Sequence, residues 1–377
     1  MPFIDRVLQE PSYQWANEKG ELSVPSTKEL FQEAFRRINV FQSKKNWMPF
    51  LSWSVIAVIA PAFALLVFEY ATWKLSAFAF FYGMLFMSTH GTIWYHRYCT
   101  HKAYKFKHPF WRFVTQNLVI KTVPEETYVI SHHVHHAKSD LPGDPYNPRG
   151  GFLYCMLADV NHQGIAKDLD KADYNQASLY LKDTGVKRNS YAQYQKYGSV
   201  SSPWQTLLSY LLNWIFWYGA FYSIGVLAGG TGHGLALSAF TAAVFWFVLV
   251  RAFNYTGHGG GVVKHEDGVD YDRTNLSINQ VRPGYFSGEW HNNHHLYPKS
   301  ARAGFLKYQL DTAWIYIWIM RELGAVHRVQ DDKEKFLSEY YRKQKTKDKE
   351  ASERRIRHPH ESVEGKLPRK LQEQVGD

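Results

Sequence analysis

Residues 205–255 read QTLLSYLLNWIFWYGAFYSIGVLAGGTGHGLALSAFTAAVFWFVLVRAFNY. Two apolar segments, 205–228 and 234–255, flank a glycine-rich turn at Gly229–Gly234. Crossing the hydrocarbon layer of a bilayer takes about 20 apolar residues, and each arm reaches that length. A second pair, 48–70 and 75–95, is joined by a short turn around Ala71–Leu75. The pattern predicts an all-α integral membrane protein with four transmembrane helices arranged as two hairpins. Buried helices of a soluble protein are the alternative, and charge argues against them. The turns contain one basic residue, Lys74, whereas the N-terminal arm contains seven: Arg6, Lys19, Lys28, Arg36, Arg37, Lys44 and Lys45. The positive-inside rule then sends both turns outward and leaves both termini and a helical cap in the cytoplasm.

The remaining chain divides around these hairpins. Residues 1–47 form an N-terminal arm, 48–95 the first hairpin, and 96–204 the first part of the cap. Residues 205–255 form the second hairpin, 256–330 the second part of the cap, and 331–377 a charged tail rich in Lys, Arg, Glu and Gln, expected to be partly disordered. Within the arm, Ser26-Thr27-Lys28-Glu29 matches a capping box. Leu30, Phe31, Ala34, Phe35, Ile38 and Phe41 follow at helical spacing, with Lys28, Arg36 and Arg37 on other faces. That predicts an amphipathic helix on the membrane surface. Trp314–Met320 is too short to span and is expected to pack at the interface.

Composition narrows the function. The net charge is +10 over 377 residues, but the basic residues flank apolar spans, which points to anionic lipid or acidic head groups and not to nucleic acid. Aromatic residues reach 16%, natural where rings line a bilayer interface. The two cysteines, Cys99 and Cys155, form no CxxC, which excludes a disulfide framework and a zinc ribbon and fits a reducing compartment. The N-terminus lacks an apolar signal region, so the first span is expected to direct insertion. The C-terminal Gln374–Asp377 carries no retrieval signal, which favours a bacterial inner membrane over an endoplasmic reticulum.

Half of the 18 histidines fall in four clusters. His96 and His101 stand at the cytoplasmic end of the second span. His132, His135 and His136 lie in the first cap segment, Asn254 and His258 at the end of the fourth span, and His291, His294 and His295 in the second cap segment. Positions i, i+3 and i+4 share one face of a helix. Pro124, Glu125 and Glu126 before the second cluster and Leu141-Pro142-Gly143 after it predict a helix over 124–138 that projects its three histidines together. Pro298 closes the equivalent helix of the last cluster. His96 and His101, five apart, lie about 140° apart around an ideal helix and serve one metal together only if the helix ends there; otherwise each serves its own. A single histidine is usually a surface or core residue; nine in such clusters imply a metal site, and nine ligands are too many for one ion. Imidazole suits zinc, copper, iron or nickel. A closed zinc site usually includes cysteine, so an all-imidazole pair facing a membrane better suits oxygen chemistry on an apolar substrate. Iron and zinc remain open at this level.

The clusters resemble the boxes of membrane fatty acyl desaturases, especially acyl-CoA enzymes acting near carbon nine. His96–Tyr104 resembles the first box. His132–His136 with Ser139, Asp140, Asp144-Pro145, Asn147, Arg149 and Gly151-Phe152 resembles the second, and His291–His295 with Pro298 the third. Asn254 and His258 resemble the family's pair near the end of the fourth span. The likeness covers roughly residues 48–325. His133 stands where the family often has Arg, Ser131 where it has Asp, and Ser287-Gly288-Glu289 where it has Gly-Glu-Gly. The resemblance implies a mushroom-like helical fold whose cap holds a di-iron site. Its two irons would be bound by His96, His101, His132, His135, His136, His258, His291, His294 and His295, with Asn254 holding a water. The reaction would consume molecular oxygen and two electrons and convert a saturated acyl chain, as acyl-CoA or acyl-lipid, into a cis-unsaturated one.

Substrate contacts are expected at three further residues. Phe80 and Met84 share a face, about 18–24 Å along the second span from His96, and would floor an acyl tunnel; ordinary helix packing is the competing explanation. Arg149, with Lys167, Lys171, Lys187 and Arg188, would meet coenzyme A phosphates or form a solvated face. The chain carries no ferredoxin cysteine pattern, no GxGxxG and no haem box. Electrons would therefore come from a separate haem or iron–sulfur carrier and its reductase. Three rival readings share parts of the pattern: a di-iron lipid hydroxylase or ketolase, a histidine-rich metal transporter, and a zinc receptor or hydrolase. Transporter ligands belong near the bilayer midplane, whereas these histidines cluster at helix ends.

Overall fold

The computed structural model describes residues 2–158, 164–280, 288, 290–346 and 349–350. Within them the chain is mostly helical. One two-stranded antiparallel ribbon pairs Lys105–Phe106 with Val326–His327. The chain divides into two units, Met1–Gln330 and Asp331–Asp377. Residues 351–377, most of the expected tail, lie outside the described residues.

The N-terminal helix α1, Thr27–Ile38, starts where its capping box places it. Glu29 N–H donates to Ser26 Oγ and Ser26 N–H donates to Glu29 Oε2. Leu30 and Ala34 are buried and Phe31 and Phe35 are exposed, while Arg37, expected on the polar face, departs from the expectation and is fully buried. The reason is Glu33, itself buried, which receives Arg36 and Arg37, while Arg37 also donates to the carbonyls of Gln9 and Glu10 at 2.6 and 2.8 Å.

Four long helical stretches follow. α2 is Lys44–Tyr70, α3 covers 73–100, α4 is Pro203–Leu227 and α5 is Gly232–Thr256. Two of them are long and apolar enough to cross a membrane among the described residues: α2, with mean hydropathy 2.3, and α5, with 1.9. α4 has the length but carries Trp and Tyr rings with polar edges. Trp214 and Trp217 use theirs to donate to the carbonyls of Lys121 and Asn117, both at 3.0 Å. α5 is the central helix, packed against the other three. Ala236, Ala239, Ala242 and Ala243 are fully buried on it. Such small residues let helix backbones close together, and a Cβ on Gly83 of α3 would meet the Ala242 carbonyl oxygen at 3.0 Å.

α3 is not a uniform α-helix. It is wound in wider, i→i+5 turns at Tyr82–Met87 and Thr92–Thr100. Such turns are rare and gather at functional sites. The short segment read from Trp314–Met320 forms a helix over Thr312–Glu322, with Ala313, Ile317 and Met320 buried and Ile315, Trp318 and Ile319 outward. Thr312 Oγ1 lies 2.9 Å from Thr89 Oγ1 of α3.

The Glu33 pair generates a stability prediction. Burial alone would raise its pKa, but hydrogen bonds from Arg36, Ser12 and Arg37 and the Arg37 charge hold it at about 2. A carboxyl so depressed stabilises the fold fully above the ordinary value of 4.5, and loses that contribution as pH falls towards 2. Glu33→Ala strands a buried guanidinium and should cost about 3–5 kcal/mol. Thermal melting should show the full deficit at pH 7 and a shrinking one below pH 4.5.

Candidate metal centre

The histidines are delivered by the end of α3, by the helix Glu125–Lys138, by the residues just past α5, and by the short helix His291–Leu296. They converge in two groups: His96, His101, His132, His136 and His294, and His135, His258, His291 and His295. Within each group the ligand nitrogens all lie within 4.8 Å of one another. His294 Nε2 stands 2.8 Å from His96 Nε2 and 3.0 Å from His136 Nε2. His291 Nε2 stands 3.0 Å from His258 Nε2 and 3.2 Å from His295 Nε2.

The winding of α3 decides where its two histidines go. His101 N–H donates to the His96 carbonyl, an i→i+5 bond of 3.1 Å. A turn that closes on the fifth residue stacks His101 beneath His96, so both enter one group and the 140° of an ideal helix does not apply. The HxxHH clusters behave differently from the expectation that each acts together. Residues four apart stay together, His132 with His136 and His291 with His295, while His135 and His294 cross to the other group. Consecutive residues point about 100° apart on a helix, so each helix edge serves a different group.

The set suits metal ions. His135 Nδ1 donates to Asp144 Oδ1 at 2.9 Å, and His258 Nδ1 lies 3.0 Å from Asp140 Oδ1, so each ring turns a bare Nε2 inward. His101 Nε2 is buried without a hydrogen-bond partner among the described residues. Lone pairs aimed at a common point inside a protein repel unless a cation lies between them. Burial and the neighbouring imidazoles push His132, His136, His291, His294 and His295 well below the usual histidine range, which keeps them neutral and able to ligate. Burial also acts on His135, but the Asp144 charge and hydrogen bond outweigh it and raise its pKa.

A cavity opens against the histidines and runs between α3 and α5 to Met84, with Gly91, Trp246 and Arg251 in its wall. Asn254 lines it beside His258. Phe80 is 54% exposed and packs on Phe81, outside that wall. Arg149 is exposed, its N–H donating to Asn147 Oδ1. Ser287 and Glu289 lie outside the described residues. Sequence reasoning gave no role to Arg97, which pairs with Asp311 at 2.8 Å in the cavity wall, or to Tyr128, stacked on His132 with ring centroids 5.2 Å apart. The Arg beside His96 was the available signal.

These features define a helical protein in which two sets of imidazoles, each able to hold a metal ion, face a mostly apolar cavity. Residues 71–317 match the family model for fatty acid desaturases, and the chain belongs to that family. It is therefore an oxidoreductase of a membrane-associated, iron-using family. Three similar proteins illustrate the family's range. A hex-5-enoyl-[acyl-carrier protein] acetylenase of Moorena producens is 26% identical, over 66% of this chain and 75% of its own. An icosanoyl-CoA 5-desaturase of Limnanthes douglasii is 26% identical over 63% of this chain and 60% of its own. An sn-2 palmitoyl-lipid 9-desaturase of Nostoc is 27% identical over 71% and 86%.

His133 sits inside the second cluster but joins neither group; its ring stacks on Tyr180 at 4.0 Å. Metal analysis of purified variants should show His132→Ala and His291→Ala losing bound metal while His133→Ala retains the wild-type content.

Proposed function

We propose that the chain is a four-span di-iron fatty acyl desaturase that places a cis double bond in a saturated acyl chain, carried as acyl-CoA, near carbon nine. The observation that carries this reading is the contact between both histidine groups and one cavity leading to Met84. A methylene in an alkyl chain is too weak an acid for any side chain to deprotonate. When bound, the irons supply the oxidising power, drawn from molecular oxygen and two electrons, that such a hydrogen abstraction demands. The protein's part is position and dryness. His96, His101, His132, His136 and His294 would hold one iron, and His135, His258, His291 and His295 the other, with Asn254 beside the smaller set. Met84, buried at the far end of the cavity, would set how much chain lies beyond the reacting carbons.

The four-span topology draws support from the surface of α4. Leu207, Leu208, Leu211, Leu212, Ile215 and Phe216 all face outward. Monomeric soluble proteins rarely leave so large a contiguous apolar face in water, whereas a bilayer covers it. The turn within each hairpin would face away from the cytoplasm, and a separate haem or iron–sulfur carrier with its reductase would deliver electrons on the histidine side. The printed activities of the relatives span acyl-carrier-protein, CoA and lipid substrates. CoA is favoured here by the exposed basic residues of the cap, Lys171, Lys187 and Arg188, whereas Lys167 is tied to Asn46 Oδ1.

Cells expressing the chain should gain monounsaturated fatty acids by gas chromatography–mass spectrometry, and cells expressing His135→Ala should not. Hydroxylated chains instead would make it a hydroxylase. Met84→Ala should shift product towards longer chains by two or more carbons; an unchanged length distribution would remove Met84 from the tunnel.

A further inference from the structure

The two histidine groups are supported unequally. Among the described residues, the imidazoles that face a carboxylate are His135, on Asp144 at 2.9 Å, and His258, on Asp140 at 3.0 Å. Both belong to the group of four, and among the described residues none of the five histidines in the other group has such a partner. The two aspartates are coupled. Asp144 Oδ2 receives the Asp140 N–H at 2.8 Å, and Asp144 Oδ1 also receives the Tyr146 N–H at 2.9 Å. Asp140 is held in the left-handed region at φ 63°, with its Oδ2 receiving the Leu276 N–H. That backbone conformation is uncommon outside glycine, though aspartate tolerates it better than most residues. Here it sets the carboxylate beneath His258. Both aspartates are buried, Asp144 completely.

A carboxylate on the outer nitrogen of a ligating imidazole fixes its tautomer, locks the ring and makes the inner nitrogen a stronger donor. We propose that Asp140 and Asp144 are positioning residues that make the two metal positions inequivalent, the four-histidine position being the tighter and more electron-rich. The inference rests on the two-iron reading above. The four-histidine set has one imidazole fewer, but two of its ligands are stiffened and two negative charges stand behind them. Among the described residues, the five-histidine set has no carboxylate behind its rings.

The test is anaerobic equilibrium dialysis of the purified full-length chain against graded Fe2+, with Mössbauer spectra of each loading. Wild type should bind two irons in separable steps with different quadrupole doublets. Asp144→Asn and Asp140→Asn keep the side-chain size and remove the charge. Each should weaken the tighter step about 10–100-fold and alter its doublet, leaving the other step unchanged. A purely structural role would lower the melting temperature without moving either binding step, and that result overturns the proposal. So does a wild type whose two irons bind with one affinity and one doublet, a readout that needs no variant to fold. A wild type that binds fewer than two irons removes the two-iron reading itself, and this inference with it.

Discussion

The structure depends on keeping nine imidazole lone pairs close together in a dry interior. Each ring must be buried, neutral and aimed, and each demand is met by a different part of the chain. Burial comes from the helices that carry the rings, and it suppresses protonation of His132, His136, His291, His294 and His295. Aim comes from the hydrogen bond of His135 to Asp144, from the Asp140 carboxylate 3.0 Å from the outer nitrogen of His258, and from stacking, as of Tyr128 on His132. What remains is a pair of sites whose attraction for a cation must outweigh the cost of crowding like dipoles. The packing of α3 and α5 determines where that crowding happens.

That packing is close because α5 presents alanines where α3 and α2 approach. The same approach leaves the cavity beside the histidines narrow and mostly apolar. An acyl chain entering it, as proposed above, would shed water from every methylene, at roughly 0.8 kcal/mol each. Binding energy collected along the unreactive part of the chain can hold the reacting carbons in place, the usual way in which remote contacts serve chemistry.

Much of this was legible in the sequence. The histidine spacing named all nine members of the two groups, and Pro124 with the acidic pair behind it placed the helix that holds three of them. The capping box located α1. The entry of His96 and His101 into one group was not legible, because it depends on the i→i+5 winding near His101, which no local residue pattern announces. Nor was the burial of Arg37, since a charge on an amphipathic helix reads as solvent-facing until Glu33 and the Gln9 and Glu10 carbonyls are placed around it. Phe80 illustrates the opposite failure. Its four-residue spacing from Met84 suggested a shared wall, but Phe80 is exposed and packs on Phe81 while Met84 alone reaches the cavity.

The two metal groups are also joined across the chain. His96 and His294 touch although 198 residues separate them. A ribosome adding 5–20 residues per second leaves the early histidines waiting about 10–40 s for their last partners. During that interval the HxxHH of residues 132–136 is an incomplete chelator in a compartment where copper and zinc bind imidazole more strongly than iron does. Correct metallation of a two-iron site in this fold would thus be a matter of timing as much as of affinity, with metal supply during synthesis shaping how much active protein a cell obtains.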